Sequence, residues 1–447
     1  MPTTKSSVAL PSDNSLRRKT VVGALWTFAG YGGAQLLRLS SNLVLTRLLA
    51  PEYFGVMALI TVLMIGLAMF SDLGIGPNIM QSDRVDDQNF LDTAFTLQFI
   101  RGCFLWVVCV IGAYPFALAY NDIRLAWLVP VVGLSVIISG LNSTKTVSIN
   151  RQLLLGRLTI IEIMSQAASA LATIAYAWIS PTIWALAFGM LFGGFLKMLA
   201  SHFMLPGRNN RFHWEPDAVR SLIRFGRWIF LGTLLTFTSN SAGSLILGKL
   251  VSMTDVGIFS IAVTLAKVVE QAYEQLSNKV LLPVFVRIKD LPHVELKRQL
   301  RKVRLGAMAL FLPPLWFMAI FGDKIIGILF DRRYHSGGWI LQVFSAFSML
   351  AIINGTGTFY LAKGNSFLMM NLSAVRLTCY LGAICVGWLI SGSTGVIVGM
   401  AAYLVPVYAV ELWVQRSYEI AMPELDLLAL AVSGSIIGLG LWLSGQF

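Results

Sequence analysis

The chain is 447 residues long, and 56% of them are hydrophobic against 13% charged, where a soluble domain carries about 25% charged residues. That composition excludes an ordinary soluble enzyme, and the lack of short alternating apolar–polar segments excludes a membrane β-barrel. The net charge of +12 does not mark a nucleic-acid binder, because the Lys and Arg lie mostly in loops between apolar runs, where membrane topology places them.

The N-terminus is polar and basic up to Lys19. The run that follows is too long for a signal-peptide core and reads as an uncleaved first span. Apolar runs of membrane-crossing length recur from Val21 to the C-terminus. They place spans near 21–48, 56–80, 91–119, 125–143, 158–179, 182–204, 228–248, 256–284, 305–329, 339–361, 368–390, 395–415 and 427–444. The fold class is an all-α polytopic membrane protein. The first, second, third and eighth runs exceed a perpendicular crossing, which predicts tilt or projection beyond the bilayer. Between the first two lies a turn, Ala50-Pro51-Glu52-Tyr53-Phe54-Gly55, and the second closes on Asp72. Cys103, Cys109, Cys379 and Cys385 all sit inside apolar runs, where a thiol acts as a small hydrophobe, so neither a disulfide framework nor a metal site is expected.

Basic residues concentrate in alternate loops. One set holds Arg17, Arg18 and Lys19, then Arg84, then Lys145, Arg151 and Arg157, then Arg208 to Arg227, then Arg287 to Arg304. The opposite loops carry little beyond Arg47, Arg124, Lys249, Arg332 and Arg333. This bias predicts a cytoplasmic N-terminus.

The chain repeats itself at an offset of 202. Trp26, Phe28 and Gly30 fall on Trp228, Phe230 and Gly232; Leu45, Arg47, Leu48 and Gly55 fall on Leu247, Lys249, Leu250 and Gly257; Asp72 falls on Glu274. Six spans separate the copies, so both run the same way. Two parallel six-helix lobes related by an axis along the membrane normal are expected, plus an additional C-terminal span. The boundaries are a cytoplasmic tail over 1–20, an N-lobe over 21–204, a cytoplasmic linker over 205–227, a C-lobe over 228–415, and a linker with the thirteenth span over 416–447.

Charges at membrane depth are expensive and mark candidate function. They are Arg38, Asp72, Arg101, Glu162, Lys197, Lys267, Glu270, Glu274, Lys279, Arg376 and Glu411. Lys197, Lys279 and Glu411 lie near span ends and are expected to reach the headgroups. Lys267, Glu270 and Glu274 are spaced i, i+3, i+7 on one helical face, with Gln271 and Gln275 adjoining; an internally neutralised pair with one acid left over is the structural alternative to a protonatable site. The excess of deep cations over acids favours an anionic ligand, and arginine's fork suits phosphate. No GxxxxGK[ST] is present, the four histidines are scattered without HExxH, and no outer loop is large enough for a catalytic carboxylate pair, so an enzyme is not expected.

Arg47-Leu48-Leu49-Ala50-Pro51-Glu52-Tyr53-Phe54-Gly55 resembles the "RLLSPEDFG" turn of bacterial polysaccharide (O-antigen type) flippases, a branch of the multidrug/oligosaccharidyl-lipid/polysaccharide exporter superfamily. Phe70-Ser71-Asp72-Leu73-Gly74-Ile75-Gly76 with Gln81 resembles the "DLGLG…Q" span end of the same family, and Gly248-Lys249-Leu250 with Asp255-Val256-Gly257-Ile258 fits its second-half copy. The resemblance implies a V-shaped pair of lobes around a cavity, working by alternating access. The implied cargo is an undecaprenyl-pyrophosphate-linked oligosaccharide, moved across the bacterial inner membrane for exopolysaccharide or O-antigen assembly and coupled to an ion gradient. A first-helix arginine meets the headgroup in related lipid II flippases, and Arg38 is its nearest counterpart by helix and depth. On this reading Arg38, Arg101, Lys267 and Arg376 line the cavity, and Asp72, Glu270 and Glu274 serve ion coupling or a gate. No cofactor is implied. The expected partners are the lipid-linked oligosaccharide, membrane lipids, and the polysaccharide polymerase and export machinery. A multidrug exporter of the same superfamily is the alternative; a membrane glycosyltransferase or polymerase fits less well.

Overall fold

In a lipid environment each backbone N–H and C=O must be satisfied within its own segment, and the sequence answers with helices. The computed structural model describes residues 13–70, 79, 84, 87–151, 155–222, 242–355, 357–363 and 366–444, with side chains from Ala29 onward. Helix α1 spans Asp13–Leu48, α2 Pro51–Phe70, α3 Gln88–Tyr120, α4 Arg124–Gly140, α5 Leu155–Ile179 and α6 Trp184–Phe203. The second half contributes α7 over 242–250, α8 Met253–Leu276, α9 His293–Leu329, α10 Gly338–Asn354, α11 Ser366–Ala402, α12 Leu404–Ser417 and α13 Pro423–Leu443. Helix α11 breaks at Ser391 and Gly392, where Gly392 takes φ 58; this break separates the eleventh and twelfth predicted spans. Eight helices among the described residues are long and apolar enough to cross a membrane, and the protein is a multi-pass membrane protein.

Two expectations about local structure change. The Pro51–Gly55 "turn" is already helix. Proline is favoured in the first turn because its missing N–H is unneeded there, and Glu52 beside it suits the positive helix end. The matching segment of the second copy, Thr254–Gly257, expected as the equivalent turn by the 202-residue offset, belongs to α8, whose N-cap Ser252 accepts from the Asp255 backbone N–H. The end of the second predicted span, with Asp72, lies outside the described residues, as does most of the seventh.

Helices α2 and α8 cross where the duplication pairs their glycines. A Cβ on Gly55 would overlap the Met253 carbonyl oxygen, and one on Gly257 would overlap the Pro51 carbonyl oxygen. Pro51 and Met253 are themselves 202 residues apart, so the contact is reciprocal. Around it one core joins both halves: Leu45, Leu49 and Phe54 pack with Ile258, Phe259 and Tyr334. Polar contacts cross at the same end. Tyr120 donates to the Leu245 carbonyl at 3.1 Å and Arg333 to the Thr46 carbonyl at 3.1 Å, and the Lys249 ammonium lies 5.8 Å from the Tyr120 ring centre.

The 205–215 stretch is strapped to the first half. Buried Asp92 accepts from the Asn210 side chain and the Arg211 backbone N–H, both at 3.2 Å. The Lys145 ammonium donates to the His202 and Leu205 carbonyls and to Asn209. Phe212 packs on Phe95 and Phe99 with ring centres 5.4 and 5.3 Å apart. Arg84 bridges Asp87 and Glu215, and its guanidinium holds the Asp87 carboxyl below the usual carboxylate range.

Helix α13 is tied in by a fully buried ion pair. Arg304, assigned by its sequence position to a basic loop, lies inside α9, pairs with Asp426 of α13 and donates to the Ile353 carbonyl; both charged side chains are 1% exposed. Tyr408 adds a hydrogen bond to Asp426 at 3.0 Å. Leaving one charge of such a pair alone costs about 3–5 kcal/mol, whereas apolar replacement of both partners is far cheaper. Asp426→Ala is therefore expected to lower the thermal midpoint of the detergent-purified protein sharply. The double change Arg304→Met with Asp426→Leu is expected to recover most of the loss.

Candidate functional site

Helix α8 presents Lys267, Glu270, Gln271 and Glu274 along one face, as 3.6-residue periodicity requires. All four line a cavity of about 350 Å³ whose wall is completed by Ser244, Phe344, Ser348, Tyr380 and Tyr403. A second cavity of about 460 Å³ shares Glu270, Glu274, Tyr380 and Tyr403 and adds Tyr273, Asn354, Arg376, Tyr408 and Glu411. Below Glu274 the helix widens into a π-turn over Ser277–Leu281, a distortion that recurs at functional positions. Ser277 in this turn shares a 2.9 Å hydrogen bond with Thr358.

The first half reaches the site through α1. Tyr31 Oη, Gln35 Nε2 and Arg38 Nη2 all point at one atom, the Gln271 side-chain oxygen, at 3.5, 3.3 and 3.4 Å. The Arg38 Nε is buried and has no hydrogen-bond partner among the described residues. Gln271 is the candidate-site residue that sequence reasoning undervalued. It was visible only as a polar neighbour of the acids, because the three donors come from a helix more than 230 positions away.

The predicted site residues separate. Lys267, Glu270 and Glu274 line the first cavity together, whereas Arg38, expected to line it, adjoins it through Gln271. Arg376 lines the second cavity but does so beside Glu411, to which it donates through Nε at 3.0 Å and Nη2 at 2.5 Å. Glu411 does not reach for the headgroups. Its side chain is 4% exposed, because a helix-end carboxylate with an arginine in range pairs inward and avoids an exposed, entropically costly position. Arg101 lines neither cavity and donates to the Ala68 carbonyl at 2.5 Å. Lys197 meets Glu162 at 3.5 Å, both exposed, and Lys279 is exposed in the π-turn. Asp72 lies outside the described residues.

No ion pair within 4 Å joins Lys267 to Glu270 or Glu274 among the described residues; Glu270 accepts from Ser348 at 3.4 Å. Among the described residues that line the two cavities, the charges are Lys267 and Arg376 against Glu270, Glu274 and Glu411; Arg38 lines neither cavity and adjoins them through Gln271. The expected cation excess is therefore not a property of this cluster. What distinguishes the nearby cations is pairing: Arg376 is neutralised in place, whereas the Arg38 guanidinium meets, among the described residues, a neutral amide oxygen.

Residues 44–337 match a protein family described as "Polysaccharide biosynthesis protein". The lipopolysaccharide biosynthesis protein WzxC of Escherichia coli (strain K12) is 22% identical over 86% of this chain and 78% of its own. Among solved structures, the fold resembles the lipid II flippase MurJ in an inward closed conformation, with TM-score 0.73 and 12% identity over 94% of this chain and 92% of that one. It also resembles an inward-facing multidrug resistance MATE transporter of the MOP superfamily, with TM-score 0.61 and 13% identity over 90% and 95%.

Proposed function

The chain belongs to the polysaccharide biosynthesis protein family, and from that premise we propose that it is a flippase for lipid-linked oligosaccharides. Its cargo is an undecaprenyl-pyrophosphate-linked repeat unit, carried across the bacterial inner membrane for exopolysaccharide or O-antigen assembly without covalent chemistry. The observation that carries the reading is Arg38, a membrane-depth arginine without a carboxylate partner among the described residues, hydrogen-bonded from the first half to Gln271, which lines the same cavity as Lys267. An uncompensated guanidinium in low dielectric is tolerated where an anion visits it. The pyrophosphate supplies that anion, with Lys267 as the second cation. Arg376 then serves to hold Glu411 at the cavity wall, and Arg101 to brace α3 against α2.

With the N-terminus in the cytoplasm, as the basic loops indicate, the Gly55–Gly257 crossing closes the outer side and the cavities serve cargo arriving from within. Glu270 and Glu274 are the acids for a coupling ion, four residues apart and without an ion-pair partner within 4 Å among the described residues. Wzx-type relatives and MATE transporters share this frame, and a lining with three acids against two cations suits a cationic drug better than a cation-rich cavity would. The family match over 44–337 and the unpaired Arg38 favour the oligosaccharide. Expression in a strain lacking its own oligosaccharide flippase tests the choice: restored surface polymer is expected, and drug resistance without polymer would overturn the proposal.

The acids give a further expectation. Glu274→Gln is expected to leave pyrophosphate binding by the purified protein unchanged while slowing polymer export at least tenfold. Loss of binding together with export would instead make Glu274 a structural part of the cargo site.

A further inference from the structure

Three donors on one oxygen is an unusual arrangement for an amide. A carbonyl oxygen offers two lone pairs, yet Tyr31, Gln35 and Arg38 all address Gln271, at 3.3 to 3.5 Å, against about 2.9–3.0 Å for an ordinary N–H···O bond. All three bonds are long, and the acceptor is shared among more donors than it has lone pairs. On one edge of the guanidinium fork Nη2 reaches Gln271, while the adjoining Nε is buried without an acceptor among the described residues. Phosphate oxygens fit that edge two at a time, through charge-assisted bonds about twice as strong as neutral ones.

We propose that the Gln271 carbonyl is a placeholder for a phosphoryl oxygen of the cargo. This deepens the flippase reading and rests on it. In the empty protein Gln271 occupies the donor set of α1 and ties α1 to α8. An arriving pyrophosphate displaces it, fills both Nε and Nη2 of Arg38, and releases α8 from α1. Loading and loosening of the tether between the two halves are then one event, which couples recognition of the headgroup to the conformational step. Gln271 acts as a positioning residue and internal competitor; Arg38 remains the group that meets the anion.

The placeholder lowers apparent affinity by the fraction of protein in which it holds the donors, and its removal has a defined sign. Binding of inorganic pyrophosphate to the full-length protein in detergent is measured by titration calorimetry, with glucuronate in parallel for acidic sugars. Gln271→Leu keeps the size and removes the acceptor, and is expected to tighten pyrophosphate binding about threefold to tenfold. Gln271→Glu supplies a competing carboxylate, and is expected to weaken it at least tenfold. Spin labels on α1 and α8 are expected to move apart on adding pyrophosphate to the wild type, and to stand apart already in Gln271→Leu. Unchanged or weaker binding in a folded Gln271→Leu protein overturns the placeholder, as does tighter binding of glucuronate alone. Arg38→Ala separates the two levels: if it binds pyrophosphate like the wild type, the flippase site itself is misplaced, whatever Gln271 does.

Discussion

Replacing Arg38 by alanine is expected to abolish polymer export while leaving membrane abundance unchanged. The abundance follows from geometry: Arg38 makes one 3.4 Å hydrogen bond to Gln271 and no ion pair among the described residues, so its loss strands no charge. The export defect follows from chemistry. A charged hydrogen bond contributes about 1.5–3 kcal/mol, and two such bonds to one phosphate amount to at least a hundredfold in cargo binding. Arg38→Lys is expected to recover only a fraction, because a lysine ammonium cannot present the two parallel donors of the guanidinium edge. Arg101→Ala, which the sequence alone places beside Arg38 in the cavity, is expected to act through packing of α3 on α2 and to lower abundance and export together. Immunoblots of membranes alongside surface-polymer assays separate the two behaviours.

Substitution of either crossing glycine is expected to have a comparably large effect by another route. A valine at Gly55 would drive its side chain into the Met253 carbonyl, and one at Gly257 into the Pro51 carbonyl. Backbone cannot yield as a side-chain tip can, so α2 and α8 must separate. Overpacking of this kind costs about 1–3 kcal/mol, enough to shift a conformational balance by about fivefold to more than a hundredfold. Gly55→Val and Gly257→Val are each expected to expose the junction and depress export at least tenfold. A cysteine placed at Phe54 should then react with a membrane-impermeant thiol reagent from outside the cell, whereas in the parent protein it should be protected. The reciprocal geometry makes the two variants equivalent. A large effect from one and none from the other would contradict a symmetric closure.

Much of this architecture is legible in the chain because bilayer physics simplifies the code. Runs of apolar residues become helices, and the 202-residue offset pairs Gly55 with Gly257 before any coordinates exist. That these two glycines touch is a fact of helix crossing, and no periodicity reports it. The cluster on α8 is legible by the same token, since Lys267, Glu270 and Glu274 share a face by spacing alone. Their partners are not. Gln271 gains its meaning from α1, Glu411 from Arg376, and Arg304 from Asp426 at the start of the last helix. The Arg304 assignment fails for an identifiable reason: counting basic residues by loop assumes each is solvated, and a guanidinium long enough to reach a buried carboxylate escapes that assumption. The 205–215 stretch reads as a free linker by composition, yet Asp92 and Lys145 supply the side-chain partners its backbone and polar groups use.

The cation excess counted over all the deep charges does not extend to the described cavity lining. Depth along a span says how costly a charge is but not whether it is already paired, and pairing decides what a cavity attracts. With Arg376 paired to Glu411 and Arg101 bonded to a carbonyl, the proposed anion site narrows to Arg38 and Lys267.

The most direct measurement is transport by the purified protein in vesicles loaded on one side with a fluorescent undecaprenyl-pyrophosphate-linked oligosaccharide. Wild-type protein is expected to make the labelled headgroup accessible to a membrane-impermeant quencher or glycosidase on the opposite side, and Arg38→Ala protein is expected not to. Equal rates from wild type, Arg38→Ala and protein-free vesicles would contradict the account, as would transport of a cationic dye in place of the lipid-linked sugar.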